Sequence, residues 1–187
     1  MDKIHKSRRL VTALGTSAIL VGAIAAPAFA ANEITQTVNA GSRTASIADL
    51  GLTAVDYSHS GQSQTGTMVL TADDSTGSGL GWNVTVLSSN FVYSGSNGGT
   101  AIPAANFSLT SAATPAITAG QAVDGEDGPK AVTTSGTLDE ARKVINANAG
   151  FGLGTYTQDL GVSLSIPAQA RAGTYTGTMT VTINSGP

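Results

Sequence analysis

No cysteine occurs in the 187 residues. That excludes disulfides, thiolate zinc sites and iron–sulfur clusters, so packing and backbone pairing alone must hold the fold. Charge is scarce as well. Only 11% of residues are Asp, Glu, Lys or Arg, against about a quarter in ordinary soluble domains. Histidine is scarcer still: beyond the N-terminal segment only His59 remains, and nothing marks a serine beside it as a nucleophile. No H-E-x-x-H run is present for a metalloprotease helix. The acids are spread over loops and select no carboxylate pair for glycoside hydrolysis. The expectation is a protein that is not an enzyme, with no catalytic residue, no metal site and no cofactor.

What the chain does have is alternation. In Leu160–Ile166 the apolar Leu160, Val162, Leu164 and Ile166 enclose Gly161, Ser163 and Ser165. In Thr174–Ile183, Tyr175, Met179, Val181 and Ile183 alternate with threonines. A period of two marks a strand with one buried and one wet face. Threonine suits the wet face because β-branching stiffens χ1 in extended chain. Pro167–Gly173 separates the runs with turn residues, so two antiparallel strands, as a hairpin, are expected at one edge of a sheet. Further strands are expected at Ile34–Val38, Thr44–Leu50, Thr65–Ala72, Trp82–Leu87, Phe91–Tyr93 and around Phe107 and Leu109, with 65–72 and 82–87 forming a second hairpin. Thr137-Leu138-Asp139-Glu140 fits a capping box that opens a helical turn, whereas Val144-Ile145 favours extended chain. The fold class is therefore all-β: an antiparallel β-sandwich of about ten short strands with at most one short helix.

Residues 1–30 read as a secretory signal peptide. Lys3, Lys6, Arg8 and Arg9 precede the apolar run Leu10–Ala26, and Ala28-Phe29-Ala30 gives a small-x-small cleavage site. The apolar run is too short to span a bilayer comfortably. Ser7-Arg8-Arg9 also permits twin-arginine export, although little else of that motif follows. Removing 1–30 takes four of the nine basic residues and one of the twelve acidic ones, leaving five against eleven. A mature domain of 31–187 with that balance is a poor partner for nucleic acid or for an anionic membrane surface. The expected location is secreted, extracellular or on the wall surface.

Three motifs have ordinary explanations. Gly150-Phe151-Gly152-Leu153-Gly154 resembles a phosphate loop, but the strand-like Thr155-Tyr156-Thr157 follows where a helix is needed, so a glycine bend between strands fits better. Asp124-Gly125-Glu126-Asp127-Gly128 lacks the acids at set positions of a calcium loop and reads as solvated, as does Asp73-Asp74. Trp82 has two readings, core packing or a surface contact with sugar or peptide.

Leu70–Asp74 through Gly79–Val86 resembles the first signature region of WxL-domain surface proteins. Ile102-Pro103, Gly152–Tyr156, Val162–Pro167 and Ala172–Tyr175 are similar to later parts of that domain, and the likeness covers nearly all of residues 32–187. The resemblance implies a secreted β-rich domain attached non-covalently to the bacterial cell wall through peptidoglycan, with other cell-surface proteins as further partners. It places the first motif on Trp82-Asn83-Val84, and Val stands where the family has Leu. The second motif follows Tyr175, with its Trp position on Val181 and its Leu position on Ile183, so the second tryptophan is missing here. These six residues are the candidates for wall binding. The chain ends at Pro187 without a sortase-type tail, which accords with non-covalent attachment. The rival expectation is a structural subunit of a surface layer or fibre that assembles by strand addition. A hydrolase acting on the wall ranks last.

Overall fold

The computed structural model describes residues 33–132 and 135–187; the signal peptide expected at 1–30 lies outside them. The chain divides after Thr37. Of the part before that point, residues 33–37 are described, and they form no strand. The strand expected at Ile34–Val38 is therefore absent: Ile34 is 96% exposed, and among the described residues the first strand begins at Arg43. Alternation alone does not make a strand unless a partner edge receives its hydrogen bonds.

Among the described residues, twelve strands follow in chain order. They are β1 (Arg43–Ile47), β2 (Gln62–Asp74), β3 (Trp82–Ser88), β4 (Val92–Ser94), β5 (Phe107–Ala112) and β6 (Ala116–Gly120). The second half holds β7 (Lys130–Ala131), β8 (Gly136–Thr137), β9 (Arg142–Ala147), β10 (Gly154–Ile166), β11 (Thr174–Thr176) and β12 (Met179–Ser185). All pairings are antiparallel. One sheet has the order β1-β2-β10-β5-β8, with β6 also on β10. The second has the order β12-β3-β9-β7, and β11 pairs β4 in a separate ribbon.

The two sheets share one core. Met68, Leu70 and Ala72 of β2 and Tyr156, Leu160, Val162 and Leu164 of β10 pack with Trp82, Val84 and Val86 of β3 and Val144 and Ile145 of β9. The sets from β2, β3 and β10 come from alternate positions, as the pleat requires; in β9 the adjacent Val144 and Ile145 are both buried, where its register with β3 shifts. Gln158 ties the layers together by a polar link. Its buried amide Nε2 donates to the Ala113 carbonyl at 2.9 Å and to the Val144 carbonyl at 3.0 Å.

The all-β sandwich expectation holds, but both expected hairpins fail. β2 and β3 lie in different sheets: β2 pairs β1 and β10, and β3 pairs β12 and β9. β10 is internal to the first sheet, whereas β12 is an edge of the second, so the runs at 160–166 and 174–183 do not pair either. The second run also breaks at Gly177-Thr178, which puts Tyr175 in β11 and Val181 and Ile183 in β12. Met179, Val181 and Ile183 are half-buried, so each contributes less than the roughly 1.5–3 kcal/mol of full burial.

The capping box starts no helix. Leu138 is fully buried, its N–H donates to the Phe107 carbonyl at 2.8 Å, and its carbonyl accepts from Ser88 N–H at 2.7 Å. A helical turn would break both tertiary bonds and withdraw the side chain from the core. Among the described residues, the helical element is the 3-10 turn Ala104–Asn106.

Candidate functional site

Trp82 opens β3 and is 0% exposed. Its indole Nε1 donates to the Gly152 carbonyl at 2.8 Å, and its ring packs 6.1 Å from that of Tyr156. Gly152 has φ +82°, and a Cβ there would stand 2.6 Å from the indole nitrogen. The glycine bend between β9 and β10 thus closes over the tryptophan, which needs both left-handed backbone and an absent side chain. Val84 is also 0% exposed. Neither side chain offers surface to a polymer.

The two motif regions lie side by side. β12 runs antiparallel to β3 with Val181 opposite Val86, Ile183 opposite Val84 and Ser185 opposite Trp82. The apolar members of both motifs therefore share the core-facing side of one strand pair. Asn83 points to the opposite side, where Asn184 and, one pair on, Thr85 and Thr182 form a polar surface. Its Nδ2 donates to the Gly186 carbonyl at 2.9 Å, which ties the end of the chain to β3.

Tyr175 stands apart from the other five candidates. It pairs with Tyr93 across the β4–β11 ribbon, with ring centroids 5.3 Å apart, and its hydroxyl donates to the Arg171 carbonyl at 2.9 Å. One side of this ribbon borders a groove of about 560 Å³, within the range of small-molecule sites. The opposite wall is the segment 48–61 between β1 and β2. Leu50 and Leu52 lie over Gly66 of β2, where a Cβ would come within 2.8 Å of the Leu50 side chain. The segment is pinned at both ends. Ala48 N–H donates to the Val69 carbonyl at 3.0 Å, the Ser58 carbonyl accepts from Gln169 N–H at 2.9 Å, and the Asp56 carbonyl accepts from the Gln62 side chain at 2.9 Å.

Tyr57 on this segment is 53% exposed, and His59 packs edge-on against its ring at 5.2 Å. The groove residues Tyr57, Gln62 and Arg171 were not among the sequence candidates. The available signal was a tyrosine set in a Ser/Gly/Gln loop, since a large aromatic left in a surface loop is rarely there for packing.

The acidic loops have structural partners. Asp124 accepts backbone N–H bonds from Asp127 and Glu126, which hold its carboxyl below the ordinary carboxylate range. Burial alone would push Asp74 up, but hydrogen bonds from Arg43 and from the side chain and N–H of Thr76 outweigh it, and the net direction is down. The Tyr156 hydroxyl is pushed up, first by burial and then by the charge of Asp74.

Residues 21–187 match the family model of the WxL domain, described as surface cell wall-binding. Comparison with curated proteins and with solved structures returned no match. The chain belongs to the WxL family of cell wall-binding surface domains.

Proposed function

From that membership we propose that the chain is a secreted, non-enzymatic protein whose domain 31–187 attaches non-covalently to peptidoglycan after a signal peptide at 1–30 is removed. The observation that carries the reading is the family match over 21–187, joined to the pairing of its two motif regions as neighbouring strands. In this reading Trp82, Val84, Val181 and Ile183 build the domain, and the wall is met by surface that they position. Asn83 serves the outer face and Tyr175 the groove.

A non-enzymatic role is supported by what the reactive groups do: His59 packs on Tyr57, and Asp74 and Asp124 hold neighbouring chain. The test is co-sedimentation of the purified protein with isolated sacculi over a range of protein concentration. Saturable pelleting without loss of sacculus turbidity is expected. Protein left in the supernatant sinks wall attachment, and falling turbidity sinks the non-enzymatic reading.

One observation favours assembly by strand addition as a second reading. Every residue of β6 is exposed, it carries no charge, and Ile117 is 44% exposed. Unguarded edges of this kind accept a further strand. Mass that rises with protein concentration in sedimentation would favour it.

A further inference from the structure

The groove beside Tyr175 is built and held open by bonds that neither motif explains. We propose that it is the contact for the glycan strand of peptidoglycan, seating a short run of N-acetylated sugar rings against Tyr57 and Tyr175. The inference rests on the wall-binding reading and deepens it by naming a site and a wall component.

Three properties point to sugar. First, aromatic rings are presented along the groove. Tyr57 is half exposed and steadied by His59, and Tyr175 is braced by Tyr93. The face of an aromatic ring is negative, and the C–H bonds on one face of a pyranose are weakly positive, so the two stack. Second, uncharged hydrogen-bonding groups surround the rings. Thr53, Gln62, Thr174 and Thr176 line the groove. Among the described residues, the backbone of 51–55 makes no hydrogen bond, so its N–H and C=O groups are available for hydroxyls and acetamides. Third, the charge is balanced. Asp56 and Arg171 bring one charge of each sign to the lining. The chain beyond residue 30 carries eleven acidic against five basic residues. Such a protein repels polyanionic wall polymers and tolerates a neutral glycan.

The groove also does not end at its first cavity. A second cavity of about 500 Å³ shares Leu50, Leu52 and Phe91 with the first, so the cleft continues under the segment 48–61. The pinning at Ala48, Asp56 and Ser58 fixes that segment before any ligand arrives. A wall that is already ordered loses little conformational freedom on binding.

The test titrates the full chain with the tetramer of N-acetylglucosamine, followed by backbone NMR, beside pelleting with sacculi. The variants are Tyr57→Ala, Tyr57→Phe and, as a control outside both the groove and the β3–β12 outer face, Thr110→Ala on the exposed side of β5. The tetramer is expected to shift resonances of residues 51–55 and Tyr175. Tyr57→Ala is expected to weaken both tetramer and sacculus binding by about tenfold, the loss typical of an exposed aromatic anchor. Tyr57→Phe keeps the ring face and retains binding, as does Thr110→Ala. Sacculi that pellet Tyr57→Ala as well as wild type, or a tetramer that shifts nothing in the groove, overturn the proposal while leaving wall attachment standing. A stem peptide free of sugar that shifts the groove when the tetramer does not also overturns it. Failure of wild type to pellet with sacculi removes the wall reading itself, a different result from the loss seen in one variant.

Discussion

Trp82 is enclosed by Gly152, Ala147 and Tyr156 and gives its indole proton to a backbone carbonyl. Truncation there removes the largest side chain of the core and leaves the Gly152 carbonyl without its partner. Trp82→Ala is expected to cost about 3–5 kcal/mol in chemical denaturation; a loss under about 1 kcal/mol would mean that the ring is not packed as described. Asp74 gives a second prediction. Its carboxyl is held below the ordinary range, so the folded state binds its proton less readily than the unfolded chain does. Its contribution is complete above about pH 5 and is lost as pH falls through the carboxylate range. Asp74→Asn should therefore flatten part of the fall in stability between about pH 5 and pH 2. An unchanged acid limb in pH-dependent melts would contradict that assignment. These residue roles were only partly legible in the sequence. The alternation around Trp82 showed its inward face, but the carbonyl that meets its nitrogen lies seventy residues away, and no local pattern encodes such a contact.

Strand existence was the most legible feature, and strand partnership the least. β2, β3, β5, β10 and β12 all fall on runs whose alternation marks them out. In a sandwich both sheets face the same core, so Trp82 and Leu70 satisfy the same burial rule from opposite layers. Period two therefore cannot tell a hairpin from a crossing between sheets. The capping box at Thr137 failed for a related reason: the burial of Leu138 and its bonds to Phe107 and Ser88 outweigh one helical turn. The exposed edge of β6 carries the prediction at this scale. Ile117→Lys places a charge on a surface residue, so stability should stay within about 0.5 kcal/mol, while any concentration-dependent association through that edge disappears in sedimentation. Association that persists in the variant would place the contact elsewhere.

Across the whole molecule, the family's name residues serve the interior and the wall must be met from outside. The four apolar motif positions lie on one side of β3 and β12, between the sheets. Val181 in place of the second tryptophan is half-buried in that layer, so its loss bears first on packing. The motif resemblance named the six candidates, but it did not show which side each residue faces. Tyr175 parted from Val181 and Ile183 because Gly177-Thr178 interrupts the run. The most direct measurement is a pair of sacculus-binding isotherms, for wild type and Trp82→Phe, at a temperature where melts show both folded. Phenylalanine keeps an aromatic core residue and deletes the indole nitrogen. The account predicts a lower melting temperature with binding midpoints within about twofold of each other. A folded Trp82→Phe protein whose binding falls by about tenfold or more would place Trp82 at the wall and contradict the account.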